Sequence, residues 1–240
     1  TQTNVACYGA STGAIDLTVT GGTTAYGYSW VNDATPGTVI ATTEDLASLA
    51  AGSYTCSITD ANSCTTTEAV TITQPAVLSS SSTQVNVACY GASTGVIDLT
   101  VTGGTTPYTY SWSDGSSVVS LSEDISLLSA GTYTCTITDA NSCTTTEVVT
   151  ISQSAVLSSS STQVNVACYG ASTGAIDLTV TGGTTAYTYS WSDGSSVVSL
   201  SQDISLILAG TYTCTITDAN SCTTTEVVTI TQTAVVLSSG

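Results

Sequence analysis

The sequence Gly-Thr-Tyr-Thr-Cys-Thr-Ile-Thr-Asp-Ala-Asn-Ser-Cys occupies residues 131–143 and returns unchanged at residues 210–222. A third copy, at residues 52–64, differs only by serine for threonine at two positions. The surrounding sequence repeats with it, in units of about 80 residues, a length typical of a small β-sandwich domain rather than a solenoid turn. The chain is therefore expected to divide into three domains, at residues 1–77, 78–156 and 157–240.

Each copy of this stretch predicts a β-hairpin with a cysteine in each arm. On a strand, Tyr133, Cys135 and Ile137 share one face, and threonines occupy the other. Residues 139–142 predict a tight polar turn, since Asp and Asn bond their own backbone and tolerate the left-handed conformation. Residues 144–151 predict the second strand. In the first copy, pairing about this turn is expected to place Thr59 opposite Cys64 and Cys56 opposite Thr67.

The rest of each repeat predicts further short strands, here described for the second repeat. Residues 85–89 and 97–102 alternate apolar with polar residues, and Tyr108, Tyr110 and Trp112 share a face of a third strand. A short strand is expected at residues 118–121, and residues 123–128 are expected to form a crossover of one helical turn.

The pattern Leu-x-x-x-Gly-x-Tyr-x-Cys ahead of the hairpin is typical of the tyrosine corner of immunoglobulin-like domains. The predicted fold is therefore all-β: three tandem immunoglobulin-like antiparallel β-sandwiches in a linear array. The aromatic residues expected in the cores are Trp30, Trp112, Trp191, Tyr54, Tyr133 and Tyr212.

The serine-rich segment at residues 74–84 admits two interpretations. It is a flexible linker between domains, or it pairs as the first strand of the following domain. We favour the strand, because Leu78 and Val85 would anchor its two ends and a short connection would stiffen the array.

The charge excludes several classes of function. The chain has 17 acidic residues and no Lys, Arg or His, which gives a formal charge of −17. Nucleic-acid binding and attraction to an anionic membrane surface both require cations. Histidine catalysis, lysine Schiff bases and Ser-His-Asp arrangements cannot be built without these residues. Because acids recur at the same positions in a domain too small for a catalytic cleft, we expect no enzymatic activity.

Nine cysteines fall three to a repeat. Regular cysteine spacing in small β domains indicates disulfides and an extracellular, oxidising setting, although buried free thiols acting as small hydrophobes are the alternative.

Four segments of the first repeat carry a resemblance to a known family: residues 7–30, 44–55, 59–64 and 72–75. They include Cys-Tyr-Gly-Ala-Ser-Thr-Gly and Thr-Asp-Ala-Asn-Ser-Cys, and all three repeats are similar to the SprB repeat. The resemblance implies a PKD/immunoglobulin-like sandwich, export to the cell surface, and a place in an extracellular filament or a giant adhesin of gliding Bacteroidetes.

The family usually has two cysteines per repeat, at the positions of Cys7 and Cys64, while Cys56 replaces an apolar residue. This implies disulfides within each repeat: Cys7–Cys64, Cys89–Cys143 and Cys168–Cys222. The remaining cysteines, Cys56, Cys135 and Cys214, would be buried thiols. The rival pairing is Cys7–Cys56, which leaves Cys64 exposed for cross-linking between chains.

Two ligands are considered. Turn acids such as Asp60 with Asn62, or Glu44 with Asp45, offer the oxygen ligands that calcium prefers, but we favour turn caps and solvated charges, so no cofactor is expected. Tyr26, Tyr28 and Trp30 would stack on a sugar if exposed, but core packing is the favoured role.

The expected function is a structural stalk, with multivalent adhesion to a glycan or surface as the alternative. The chain begins inside a repeat and is expected to be a segment of a longer protein. Residues 77–89, which connect the first repeat to the second, are here called the seam. Joining residues 235–240 to residues 1–7 nearly reproduces the seam sequence, so residues 233–240 are expected to lie against the first domain of the next copy. Head-to-tail copies would then form a fibre, with a period on the order of 100–130 Å at ~3.3 Å per strand residue.

Overall fold

The computed structural model describes residues 1–233, and within them the chain forms 21 β-strands and no helix. The strands assemble into six antiparallel sheets, alternately of three and four strands, and each repeat contributes one sheet of each size. These sheets form three immunoglobulin-like pairs, which confirms the predicted all-β class.

The first repeat contains seven strands. Its three-stranded sheet has the order β1-β2-β5 and its four-stranded sheet the order β4-β3-β6-β7. The bounds are β1 Gln2–Thr3, β2 Gly13–Ile15, β3 Gly27–Asn32, β4 Val39–Ala41, β5 Leu46–Leu49, β6 Gly52–Thr59 and β7 Thr65–Ile72.

The second and third repeats follow the same order of strands. Their sheets are β12-β9-β8 with β11-β10-β13-β14, and β15-β16-β19 with β18-β17-β20-β21. The second repeat has β8 Ser79–Val85, β9 Gly95–Thr102, β10 Thr109–Ser113, β11 Val118–Ser120, β12 Ile125–Leu128, β13 Gly131–Thr138 and β14 Thr144–Ile151. The third has β15 Ser158–Val164, β16 Gly174–Thr181, β17 Thr188–Ser192, β18 Val197–Ser199, β19 Ile204–Ile207, β20 Gly210–Thr217 and β21 Thr223–Ile230.

The chain divides into two compact units. One comprises residues 1–83, 98–124 and 133–149, and the other comprises residues 84–97, 125–132 and 150 onward. In the first unit, a buried cluster includes Trp30, Tyr54 and Cys56. In the second unit, the corresponding cluster includes Trp191, Tyr212 and Cys214. In both clusters the tryptophan and the cysteine are fully buried, because they are cross-strand partners on the inward face of the four-stranded sheet.

The tyrosine corner is confirmed. The hydroxyl of Tyr54 donates to the carbonyl of Ala50 at 3.0 Å, and that of Tyr212 donates to Leu208 at 3.1 Å. Each bond ties the start of a hairpin strand to the backbone four residues earlier.

The hairpin forms as predicted, but its register differs by one residue. Thr59 pairs with Thr65, not Cys64, and Cys56 pairs with Glu68, not Thr67. The connecting loop has five residues instead of four, because the amide of Asp60 donates to the carbonyl of Cys64 at 2.9 Å. The residue in the left-handed conformation is Ser63, with φ of 66°, rather than an Asp or Asn.

The serine-rich segment is a strand, as we favoured: β8 pairs with β9 and β15 with β16. The strand expected at residues 85–89 is wrong, because β8 ends at Val85 and only Val87 makes an isolated bridge, to Gln153. The helical turn expected at residues 123–128 is also wrong. Within them, Ile125–Leu128 form β12, which carries an irregularity at Leu127, where φ is +59°. That irregularity breaks the alternation that marks a strand in sequence.

Candidate functional site at the repeat junctions

The polar turn after the hairpin strand is held by one aspartate. In the second repeat, Asp139 Oδ1 accepts hydrogen bonds from the amides of Asn141 and Cys143, at 2.8 and 2.9 Å. Its Oδ2 accepts at 2.8 Å from the amide of Thr105, in the turn Gly103-Gly104-Thr105-Thr106, here called the Gly-Gly turn. Burial acts to raise the pKa of Asp139, but these donors outweigh it and hold the pKa below its usual value. The carboxylate therefore fixes the loop that carries Cys143.

The same arrangement occurs in every repeat. Asp60 and Asp218 accept from the amides of the following cysteines, Cys64 and Cys222, at 2.8 and 2.9 Å. Hydrogen bonds from backbone amides, that of Cys64 first, hold the pKa of Asp60 below its usual value. These acids are turn caps whose oxygens face backbone donors. No group of three or more metal-ligating side chains occurs among residues 1–233.

In the first unit, a disulfide joins the first repeat to the second. Cys7, in the loop after β1, is bonded to Cys143, the last residue of the loop before β14, with 5.7 Å between the Cα atoms. The Nδ2 group of Asn141 donates to the carbonyl of Ala6 at 3.0 Å and also to Thr105 Oγ1. The bridge and the amide thus fasten the loop of one repeat to the hairpin turn of the next.

In the second unit, an equivalent disulfide joins the second repeat to the third. Cys89 is bonded to Cys222, with 5.6 Å between the Cα atoms. Asn220 Nδ2 donates to the carbonyl of Ala88 at 3.1 Å, just as Asn141 does to Ala6. The rule is the same at both junctions: the first cysteine of a repeat bonds to the third cysteine of the following repeat.

The pairings expected within a repeat are therefore wrong. Cys7–Cys64, Cys89–Cys143, Cys168–Cys222 and the rival Cys7–Cys56 do not form. The reason is visible in the first repeat, where the amide of Gly9 donates to Gln74 Oε1, beyond the end of β7. Cys64 lies before the start of β7, so the eight residues of that strand separate the two cysteines by about 27 Å at ~3.4 Å per residue.

The five remaining cysteines are of two kinds. Cys56, Cys135 and Cys214 are buried free thiols inside the four-stranded sheets. Burial raises the pKa of each, so they remain protonated and unreactive at neutral pH. Cys64 and Cys168 are free and exposed.

Of the three aromatics considered for sugar stacking, Trp30 has no exposed surface, whereas Tyr26 and Tyr28 are half-buried. Trp30, Trp112 and Trp191 are each 0% exposed, and their indole nitrogens donate to backbone carbonyls at 3.0 Å. Tyr133 is also buried. Burial and a hydrogen bond from its hydroxyl to Glu123 raise the pKa of Tyr110 to about 12. The tryptophan ring faces are therefore core surfaces rather than a platform.

The seam strand that precedes each later repeat is held by a glutamate that the sequence analysis did not single out. Ser80 and Ser82 of β8 donate to the two carboxylate oxygens of Glu147, both at 2.8 Å. Ser159 and Ser161 of β15 do the same to Glu226, at 2.8 and 2.7 Å. The sequence pattern could have predicted this contact. Glu147 and Glu226 occupy the same position of the repeat, and alternate serines of a strand face one side.

The two glycines of the turn allow the chain between the repeats to pack closely against it. The amide of Gly104 donates to the carbonyl of Ala76 at 2.9 Å. A Cβ at Gly103 would lie 1.9 Å from the carbonyl oxygen of Val77, and one at Gly182 would lie 1.8 Å from that of Val156. Only glycine permits this approach, because both positions also have positive φ.

Comparison with known families identifies the repeat. The family model described as the SprB repeat matches three times, at residues 1–35, 81–117 and 160–196. One segment of each repeat thus matches the SprB repeat. Each matched segment of the SprB repeat runs from the residues just before its first cysteine through the tryptophan strand. A search of the curated proteins found no match.

A solved structure shares the fold at low sequence identity. The three N-terminal domains of the Highly Immunogenic Outer Capsid protein (Hoc) of bacteriophage RB49 align with a TM-score of 0.50 and 15% identity, covering 97% of this chain and 98% of that one. The N-terminal eight Ig domains of Down Syndrome Cell Adhesion Molecule align at 0.45 and 11% identity, over 87% and 33%. Immunoglobulin domains 1–5 of Sidekick-1 align at 0.36 and 13%, over 86% and 52%. The chain thus spans a third of the second structure and about half of the third.

No helix among the described residues has the length and apolar composition needed to cross a membrane.

Proposed function

We propose that the chain is a structural segment of an extracellular filament or large cell-surface adhesin. Its SprB repeats serve as a stalk and carry out no catalysis. The observation that carries this proposal is the placement of the two disulfides, each of which joins one repeat to the next. A bond between neighbours adds a covalent constraint to the junction, which a single domain acting alone would not need.

The junction also has close packing and hydrogen bonds that oppose bending. In the first unit, Ala76 and Val77 lie against the Gly-Gly turn of the second repeat, and Asn141 bonds to Ala6 of the first. The connection between β7 and β8 is only six residues long. These contacts support a stiff connection rather than a flexible linker. We propose domain boundaries at residues 77/78 and 156/157 on the same grounds.

An extracellular location is supported by chemistry. Disulfides persist in oxidising compartments. The net charge of −17 with no basic residue keeps such a surface soluble and repels anionic partners. The structural relatives include adhesion molecules with arrays of Ig domains, which is consistent with a surface protein.

Small-angle X-ray scattering of the oxidised chain tests the stalk. Three domains end to end would give a maximum dimension on the order of 100–130 Å and a radius of gyration of about 35 Å, against about 18 Å for a compact globule of this length. Addition of dithiothreitol should leave the β circular dichroism signal intact while increasing interdomain flexibility. A compact particle, or strong binding of the full chain on a glycan array, would favour the adhesive alternative.

A further inference from the structure

An open cleft lies beside each disulfide that joins neighbouring repeats. Beside Cys7–Cys143, in the first unit, the cleft has a volume of about 370 Å³. Beside Cys89–Cys222, in the second unit, it has a volume of about 330 Å³. We call these two spaces the junction clefts. Sites for small molecules commonly occupy ~300–1,000 Å³ and often lie between domains, so each junction cleft has the size and the position of a site for one small ligand.

The two junction clefts are built from equivalent residues. Each is lined by the tyrosine that follows the first cysteine of one repeat, by residues 75–78 or 154–157 of the connecting chain, and by residues of the following repeat. The matching positions carry the same residue types, except that Pro75 in the first cleft corresponds to Ser154 in the second. A ligand that binds one cleft is therefore expected to bind the other.

Part of the lining is apolar surface that is open to solvent. Tyr8 lines the first cleft and is 58% exposed, and Val77, which also lines it, is 55% exposed. The corresponding Tyr90 and Val156 of the second cleft are 59% and 54% exposed. Neither tyrosine hydroxyl makes a hydrogen bond among residues 1–233. Each cleft therefore offers an aromatic ring with a free polar end, which suits a ligand that is partly apolar and partly hydrated.

Another part of the lining offers hydroxyl groups without a partner. Ser142 and Thr144 line the first cleft, both are exposed, and neither hydroxyl makes a hydrogen bond among residues 1–233. The same holds for Ser221 and Thr223 in the second cleft. Because a hydroxyl both donates and accepts, these groups can pair with hydroxyls of a ligand.

Charge narrows the class of ligand. The chain has no Lys, Arg or His, so an anion would meet no cation and would be repelled by the charge of −17. The carboxylate that lines the first cleft, that of Asp139, already accepts from the amides of Thr105, Asn141 and Cys143. No group of three or more metal-ligating side chains occurs in the described part of the chain. The lining therefore favours an uncharged ligand.

We propose that each junction cleft binds one unit of a neutral saccharide. A pyranose ring has a face of C–H groups, which fits the exposed ring of Tyr8, and an edge of hydroxyls, which fits Ser142 and Thr144. The second cleft offers the same groups. This site goes beyond the stalk function, which needs no ligand. Repeated along the stalk, weak sites of this kind hold a polysaccharide by multivalency.

Titration of the isotope-labelled chain with neutral disaccharides, followed by NMR, tests the site. The probes are maltose, cellobiose, lactose and N,N′-diacetylchitobiose. We expect at least one of them to shift the amide signals of Tyr8 and Thr144 in the first cleft and those of Tyr90 and Thr223 in the second. The affinity should be millimolar, because both clefts are open to solvent. A sulfated disaccharide should shift neither set of signals.

Each cleft serves as the control for the other. Tyr8→Ala should weaken binding at the first cleft about ten-fold, the effect of ~1.4 kcal/mol, and leave the shifts of Thr223 unchanged. Tyr90→Ala should do the reverse. Tyr8→Phe keeps the ring and should retain most of the binding, whereas Thr144→Val removes only a hydroxyl and should weaken binding about three-fold. Leu121→Ala alters an exposed side chain outside both clefts and should change nothing.

Three outcomes would overturn the proposal. Absence of shifts with every neutral probe would exclude the saccharide site, and shifts that survive Tyr8→Ala and Tyr90→Ala together would place it elsewhere on the chain. Stronger binding of the sulfated disaccharide would show that charge does not select the ligand. The stalk function is judged separately by scattering, in which the double variant should keep the profile of the parent. An extended particle without any shifts would refute the saccharide site alone.

Discussion

The sulfur of Cys7, in the first repeat, is bonded to the sulfur of Cys143, 136 residues later and immediately before the last strand of the second repeat. In the first unit, this bond lies beside the hydrogen bond from Asn141 to Ala6 and the capped turn of Asp139. The two disulfides therefore reinforce the junctions between repeats, while three buried free thiols lie in the cores.

The close approach of Val77 to Gly103 predicts that alanine is more destabilising there than at Gly21, the equivalent glycine of the first repeat. Gly103→Ala and Gly21→Ala both place a side chain at positive φ, which costs about 1–2 kcal/mol. Only at Gly103 does the added Cβ meet a backbone carbonyl, that of Val77. We expect Gly103→Ala to be less stable than Gly21→Ala by about 2 kcal/mol. Urea denaturation of the two variants measures this, and equal losses would contradict the seam packing.

The serine–glutamate contacts predict a second unequal pair. Glu147→Ala removes the acceptor of Ser80 and Ser82, so the free energy of unfolding should fall by about 2 kcal/mol. Glu68→Ala removes a side chain without these contacts and should stay within about 0.5 kcal/mol of the parent in the monomer. Thermal unfolding of monomeric protein compares them. A loss at Glu68 as large as that at Glu147 would show that the seam serines are not the cause.

The capping aspartates predict a specific response to acid. The folded pKa of Asp139 lies below its usual value, so its contribution to stability is fully present above the unfolded-chain pKa of about 3.9. That contribution is lost as the pH falls through the folded pKa. Asp139→Asn should therefore be less stable than the parent at pH 7, and the gap should shrink below pH 4. Denaturation curves at several pH values measure the gap, and a constant gap would contradict the capping role.

The formal charge predicts a general response to salt. With −17 and no cation, repulsion among carboxylates should lower the melting temperature in dilute buffer. Raising sodium chloride from 10 to 150 mM shortens the screening length from about 30 to about 8 Å, so the melting temperature should rise. Magnesium and calcium at equal concentration should act alike. A rise specific to calcium would indicate a bound ion and contradict the account of the acids as caps and solvated charges.

The sequence predicted the strands of the sheets well where alternation was regular. Residues 97–102 and the hairpin arms showed it clearly, and Trp112 and Tyr133 lie in the core positions that their faces indicated. Alternation failed at Leu127, where a bulge with positive φ hides a strand, and at the hairpin loop, where Ser142 takes the left-handed conformation expected of Asp or Asn.

The disulfide partners could not be read from the repeat alone. Cys7 can be paired with Cys64 or with Cys143 without breaking the periodicity, because each of these is the third cysteine of its own repeat. Only the length of β7 decides, since it places Cys7 and Cys64 at opposite ends of one strand.

The central claim is tested most directly by mapping the disulfides of the oxidised chain. Trypsin cannot be used because the chain has no Lys or Arg, so chymotrypsin is used without reductant and the linked peptides are sequenced by mass spectrometry. The Cys168→Ser variant is used, because residues 79–90 and 158–169 are otherwise identical and the peptides of Cys89 and Cys168 could not be told apart. We predict linked peptides containing Cys7 with Cys143 and Cys89 with Cys222. Peptides joining Cys7 to Cys64, or Cys89 to Cys143, would contradict the account.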